Sequence, residues 1–295
     1  MNVAVTGGTG FIGKVVLKKL VEAGHHVVAL IRQGSLLKIA SFRGTESRYT
    51  YYDTPSQVEA ALEGCQAVIN LVGIIREGKD ESFDYTHHLI PLTLVRAATN
   101  AGIRRFMQMS ALGVGRGIET EYLTTKKQGE EAVKKGDLDW TIFRPSVVYG
   151  SGDGFVSLLV RLVKRLPVVP VIGDGNYRLQ PVWVGNVAEG FVKSLTMPET
   201  FGKTYDVGGP DKFSYNELLD IVGMTLGKKQ IRKIHLPIPL MKTSARLFGR
   251  FDFFPFTIEM LTMLLTDNIT DDNSFFADLK IEPARFKHKI GEYLR

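Results

Sequence analysis

Asn2-Val3-Ala4-Val5-Thr6-Gly7-Gly8-Thr9-Gly10-Phe11-Ile12-Gly13 opens the chain, and Lys-Val-Val-Leu-Lys-Lys-Leu-Val-Glu-Ala follows at 14–23. The apolar, β-branched run at 3–6 predicts a buried strand, and the spacing of apolar residues in 14–23 predicts an amphipathic helix. Between them, Gly7 lets the chain turn tightly, Gly10 removes a side chain from the loop surface, and Gly13 lets the helix sit close to the strand. Glycines at this spacing are weak evidence alone, but a strand directly before them and a helix directly after supply the context that gives the pattern meaning. The first N–H groups of such a helix lack intrahelical acceptors and carry its positive dipole end, which suits phosphate groups.

Further along, short apolar runs at 3–6, 26–31, 48–52, 67–72, 105–110 and 140–144 alternate with helical patterns at 14–23, 55–62, 87–100 and 125–134. Strands joined by helical crossovers make a doubly wound parallel sheet, so the expected fold is α/β, of Rossmann type, with a pyrophosphate-binding glycine loop. After Gly150 the regularity weakens, with prolines at 167, 170 and 181 among glycines at 173, 175, 185 and 190. This predicts a dinucleotide-binding domain over 1–150 and a smaller C-terminal substrate or docking lobe over 151–295, interwoven with the first.

The 295 residues are 44% hydrophobic and 23% charged, enough for a sizeable core. The net charge of +6 comes from 37 basic and 31 acidic residues with no long basic run, which argues against nucleic acid as a partner. A single cysteine, Cys65, rules out an internal disulfide and points to a reducing, cytoplasmic setting. The chain runs straight into a strand, without the pattern of a secretory signal, and has no apolar stretch of membrane-spanning length. The pairs His25-His26 and His87-His88 lack a third residue at metal-ligand spacing, so no metal is expected.

The end of the second strand bears on the choice of nucleotide. An acidic residue there would take the ribose hydroxyls of NAD, but the chain reads Leu30-Ile31-Arg32-Gln33. A guanidinium pairs with a 2′-phosphate, so NADP(H) is expected over NAD(H).

Tyr122-Leu-Thr-Thr-Lys126 opens a helical pattern, and the i, i+4 spacing puts phenol and ammonium on one face. A neighbouring positive charge favours phenolate, which would lower the phenol's pKa toward the range useful for proton transfer. With the glycine loop and Arg144-Pro145-Ser146-Val147-Val148-Tyr149-Gly150, this pair resembles the extended and atypical short-chain dehydrogenase/reductases, within them the branch of the nucleotide-binding accessory subunit of respiratory complex I. Leu138-Asp139-Trp140-Thr141-Ile142-Phe143-Arg144-Pro145 and Arg178-Leu179-Gln180-Pro181-Val182-Trp183-Val184 carry the same resemblance, which covers nearly the whole chain.

The resemblance implies that Tyr122 is the proton donor or acceptor, with Lys126 its tuner and a ribose ligand. It places Gly7, Gly10, Phe11, Ile12 and Gly13 at the pyrophosphate, and Asp53 near the adenine. Asn70, Leu71, Val72 and Gly73 would border the cofactor, with Pro145, Ser146 and Val147 beside the nicotinamide. Ser110, at the end of the fifth strand, stands nearest the family's catalytic hydroxyl, while Leu112 occupies the place two residues on. His87 or His88 replaces the family's asparagine. Two functional readings stay open: an oxidoreductase or epimerase acting on an unidentified small molecule, or a non-catalytic nucleotide-binding subunit or assembly factor. The aromatic and basic stretch with Phe248, Phe251, Phe253, Phe254 and Phe256 reads either as core of the lobe or as a docking surface for a membrane or partner subunit.

Overall fold

The computed structural model describes residues 1–32, 44–79, 81–249, 251, 254 and 256–294; Phe253 of the aromatic stretch and Gln33 lie outside them. The chain divides into two compact units, the first made of Met1–Pro145, Val184–Val207 and Asp272–Glu282, the second of Ser146–Trp183, Gly208–Asp271 and Pro283–Arg295.

The first unit holds a parallel sheet of β1 (Asn2–Thr6), β2 (His26–Ile31), β3 (Thr45–Tyr49), β4 (Ala67–Asn70), β5 (Arg105–Met109) and β6 (Asp139–Pro145), closed by a strand at Lys203–Val207. From that last strand the order runs through β6, β5, β4, β1, β2 to β3. The winding reverses between β1 and β4, and in such sheets ligands bind beyond the carboxyl ends of the strands at the reversal. This is the doubly wound α/β fold expected from the alternation of strands and helices. Strands β1, β2, β4 and β5 are apolar along most of their length because helices cover both faces. Ala4, Val28, Val68, Phe106 and Ile142 face one cluster, packed by Leu62, Leu94, Val95 and Val133.

Two elements depart from expectation. The third strand lies at Thr45–Tyr49 rather than 48–52, because it is an edge strand whose Glu46 and Arg48 pair with each other and erase the apolar signal, while Tyr52 beyond it is buried. The helix expected over 87–100 begins with a π-turn, Tyr85–Leu89, before Ile90–Asn100 continues as α-helix. Pro91 has no N–H for the carbonyl of His87, and that carbonyl lies so near Gly129 that a Cβ there would come within 2.0 Å of it.

The segment that returns to this unit is fixed by Arg105, a buried side chain at the start of β5. It donates to Asp139 O at 2.5 Å, Thr141 Oγ1 at 2.9 Å and Ser194 O at 2.6 Å, with its guanidinium 4.5 Å from the centre of the Phe201 ring. Burial pushes its pKa down to about 10, still well above neutrality.

The second unit contains the parallel pairs Val148–Tyr149 with Val182–Trp183 and Val169–Ile172 with Lys233–Leu236, and the antiparallel pair Arg178–Leu179 with Phe213–Ser214. Its main cluster joins Tyr149, Val156, Leu159 and Val163 to Leu218, Leu219, Val222, Phe286 and Ile290. Ser214 and Glu217 form a capping box on the Tyr215–Thr225 helix. Among the described residues no helix is long and apolar enough to cross a membrane.

Arg105→Ala removes the guanidinium donor from the half-buried carbonyl of Asp139 and from the buried carbonyl of Ser194, which keeps only a long contact from Thr200 Oγ1 at 3.4 Å. Chemical denaturation should show a loss of about 3 kcal/mol or more; a loss under about 1 kcal/mol would mean that the return segment is held by packing alone.

Candidate functional site

The glycine loop closes on itself through Gly10 N–H to Gly7 O at 3.1 Å and Lys14 N–H to Gly10 O at 3.0 Å. Gly7 has φ +69°, and a Cβ there would come within 2.8 Å of the Leu71 carbonyl carbon. A Cβ on Gly13 would lie 2.2 Å from Gly7 O, so only glycine lets the helix Phe11–Glu22 start this close to β1. Gly10 caps the helix without a side-chain acceptor, which leaves the first-turn N–H groups of Phe11, Ile12 and Gly13 directed out of the helix end. Gly7, Gly8, Thr9 and Gly10 line a cleft together with Arg32, Tyr52, Leu71, Val72, Gly73, Ile74, Glu81 and Tyr85. A cradle that a Cβ would fill, at the positive end of a helix, fits a dinucleotide's pyrophosphate.

Beneath the cleft runs a buried polar ladder across the three central strand ends. Thr6 Oγ1 donates to Asn70 Oδ1 at 2.6 Å, and Asn70 Nδ2 to Gln108 Oε1 at 2.9 Å. Asn70 Oδ1 also accepts the Val72 N–H at 3.2 Å, which orients the loop from Leu71 to Ile74. The far end of that loop is held by His87, whose Nε2 accepts the Ile74 N–H at 3.1 Å. The ring proton therefore belongs on Nδ1, 3.2 Å from Thr125 Oγ1. Burial, with the charge of Lys126 nearby, pushes the His87 pKa down to about 2. His88 instead pairs with Asp84 at 2.9 Å near the surface, so the structure brings His87 and not His88 to the site.

Tyr122 and Lys126 lie in the first turns of the helix Glu121–Lys135, capped by Thr120, whose hydroxyl accepts the Leu123 N–H. The Tyr122 ring sits edge-on to His87, with centroids 5.1 Å apart, and edge-on to Phe83 at 5.8 Å. Lys126 is buried, and its ammonium makes no hydrogen bond among the described residues. It lies against the cleft wall, since a Cβ on Gly73 would come 2.9 Å from Nζ. Burial pushes the Lys126 pKa down to about 8 and the Tyr122 phenol up to about 12. In the protein alone, desolvation, which disfavours both charged forms, moves the phenol in the direction opposite to the lowering expected from its lysine neighbour.

Ser110 is placed differently. Its hydroxyl donates to Glu130 Oε1 at 2.6 Å, and the same buried carboxylate receives Arg144 Nε at 2.7 Å and Nη2 at 2.6 Å. Hydrogen bonds from Arg144 and Ser110 hold the Glu130 carboxyl below its usual range against the opposing effect of burial. The sequence gives no sign of this partner beyond the fact that Glu130 falls four residues after Lys126. Leu112 is buried and donates its N–H to Pro145 O at 2.9 Å. Pro145 ends β6; Ser146 and Val147 belong to the second unit, where Ser146 Oγ lies 2.6 Å from Asn268 Oδ1.

At the outer end of the cleft, Arg32 Nη1 stands 2.5 Å from Glu81 Oε1, with the two side chains 58% and 32% exposed. Asp53 is exposed and near enough to Tyr85 for its charge to help raise that phenol's pKa, although burial is the larger cause. Glu81 went unread in the sequence because nothing in its neighbourhood marks it.

The sequence profile of the NAD(P)H-binding family matches residues 7–158, and that of the RmlD substrate binding domain matches 119–235. The mitochondrial NADH dehydrogenase (ubiquinone) 1 alpha subcomplex subunit 9 of Arabidopsis thaliana is 31% identical over 98% of this chain and 76% of its own length. Ceramide reductase of Caulobacter vibrioides is 28% identical over 83% of this chain and 76% of its own length. Among solved structures, a UDP-glucose 4-epimerase from Thermotoga maritima, with UDP-glucose, gives a TM-score of 0.76 at 19% identity, covering 100% of this chain and 99% of that one. At that identity the likeness concerns the fold.

The neutral, buried His87 makes stability depend on acid. Its folded pKa, about 2, lies below the unfolded value near 6.5, so the unfolded chain binds the extra proton and stability falls as pH drops below 6.5. At about 1.4 kcal/mol per pH unit, denaturation at pH 7 and pH 5 should show the wild type losing about 2 kcal/mol more than His87→Asn. Equal losses would mean that the folded ring takes up the proton freely.

Proposed function

We propose, for a chain that belongs to the NAD(P)H-binding, extended short-chain dehydrogenase/reductase family, that the cleft holds NADPH in preference to NADH and that Tyr122 moves a proton to or from a substrate oxygen. The observation that carries this reading is Lys126: its side chain is buried beside Gly73 on the cleft wall, and its ammonium, which makes no hydrogen bond among the described residues, has its donors available to a ligand. The hydroxyls of the nicotinamide ribose have the right chemistry.

In this reading the N–H groups of Phe11, Ile12 and Gly13, with Gly7 and Gly10, hold the pyrophosphate. Arg32 and Asp53 border the adenosine end, Leu71, Val72 and Gly73 the inner edge, and Pro145, at the end of β6, the nicotinamide. The nicotinamide, when bound, gives or takes the hydride. Lys126, donating to ribose hydroxyls, regains a stable positive charge and so favours phenolate on Tyr122 four residues earlier. Tyr122 Oη then donates its proton to a substrate oxygen in the reductive direction and accepts it in the oxidative one. Ser110 is held by Glu130 and serves as a positioning residue for the end of β5, leaving Tyr122 as the hydroxyl that moves the proton.

Calorimetric titration should give NADPH an advantage of about tenfold, the lower end for one charge-assisted contact, because the guanidinium is more than half exposed. Arg32→Ala should abolish that advantage, while Lys126→Met should weaken both nucleotides by about tenfold or more. With a substrate identified by mass spectrometry of the co-purified material, Tyr122→Phe should remove turnover and leave nucleotide affinity unchanged. Undiminished turnover in that variant would overturn the catalytic role.

A second reading has its own observation: on and after the Ile238–Phe248 helix of the second unit, Leu240, Leu247, Phe248 and Phe251 are exposed beside Lys242 and Arg246. An apolar face flanked by cations suits docking to an anionic membrane, in a protein that binds its nucleotide without turnover, as a subunit. The wild type should then sediment with vesicles containing phosphatidylserine at low salt, and a Leu247→Glu, Phe248→Glu variant should stay in the supernatant. A wild type that stays in the supernatant as well would leave that face without this role.

A further inference from the structure

The pair at the mouth of the cleft changes what Arg32 can do. Glu81 Oε1 lies 2.5 Å from Arg32 Nη1, and both residues line the cleft. The carboxylate is held there by its own segment. Gly78 N–H donates to Glu81 O at 2.9 Å in an antiparallel bridge, and Glu77 Oε1 accepts the Phe83 N–H at 2.7 Å. Phe83 is buried and stacks on His87, with centroids 5.4 Å apart, which anchors the segment's far end. The turn therefore presents Glu81 to Arg32 from an anchored backbone.

Resting on the reading of Arg32 as the group that meets a 2′-phosphate, we infer that Glu81 is a specificity-determining residue that competes with that phosphate for the guanidinium. A 2′-phosphate must either displace the carboxylate from Arg32 or share the guanidinium with a second anion that repels it. NADH, with a neutral 2′-hydroxyl, meets neither cost. Glu81 thus narrows the preference that Arg32 creates, so that one chain discriminates less sharply between the two nucleotides than its second-strand arginine alone would make it.

The test is calorimetric titration of the full chain with NADPH and NADH for the wild type, Glu81→Gln, Arg32→Ala and the double variant. Glu81→Gln keeps the size of the side chain and removes its charge at an accessible position, so the fold is expected to persist. It should tighten NADPH by about three- to tenfold, as expected for release of a partly exposed ion pair, and change NADH by less than about twofold. In the Arg32→Ala background the same substitution should change the ratio of the two affinities by less than about twofold. If Arg32→Ala leaves the ratio at its wild-type value, the reading of Arg32 fails. If Arg32→Ala lowers the ratio but Glu81→Gln leaves it unchanged, tightens both nucleotides alike, or weakens NADPH, the competition proposed for Glu81 is overturned while Arg32 keeps its role.

Discussion

No side chain fits between the start of the first helix and the loop that precedes it. A Cβ on Gly13 would overlap Gly7 O at 2.2 Å, and one on Gly7 would press on the Leu71 carbonyl carbon at 2.8 Å. This double exclusion brings the helix end, the end of β1 and the loop after β4 to one place, at the point where the winding of the sheet reverses. The polar ladder of Thr6, Asn70 and Gln108 then ties the strand ends below. Everything that borders the cleft on its inner side is positioned from that contact outward, including the Leu71 to Ile74 loop that His87 holds at its other end.

Around this frame the protein buries ionisable groups in two ways. Glu130 is fully compensated: Arg144 grips both its oxygens and Ser110 donates a third hydrogen bond, so its charge is retained despite burial. The charge of Glu130 offsets the burial of Lys126 only in part and nothing offsets that of Tyr122, so desolvation moves each toward its neutral form. The contrast separates a structural charge from groups whose protonation is free to respond to what binds. It lies within one helix, where Glu130 follows Lys126 by a single turn yet meets an arginine from the neighbouring strand.

The π-turn at Tyr85–Leu89 belongs to the same arrangement. By withholding a donor from the His87 carbonyl, Pro91 opens the helix at the place where the His87 ring must reach both Ile74 and Tyr122. Gly129 on the facing helix leaves room for that carbonyl. Local irregularity here is the consequence of packing two helices closely around a buried imidazole.

The sequence by itself determined the strand, glycine loop and helix at the amino end, the parallel sheet, and the shared face of Tyr122 and Lys126. Each is a local pattern: a run of apolar residues, a spacing of glycines that sterics demand, a period of one helical turn. Tertiary structure decided the partners. That Ser110 is claimed by Glu130, that His87 rather than His88 turns inward, and that Arg32 meets Glu81 depend on segments brought together only by the folded sheet and its crossovers. The third strand shows the same limit, since Glu46 and Arg48 on an exposed edge carry no periodic apolar signal, and pairing with β2 alone places it at Thr45–Tyr49. A period states which face a side chain takes; the charge or hydrogen bond that it finds there belongs to another part of the chain, and that choice sets its pKa and its role.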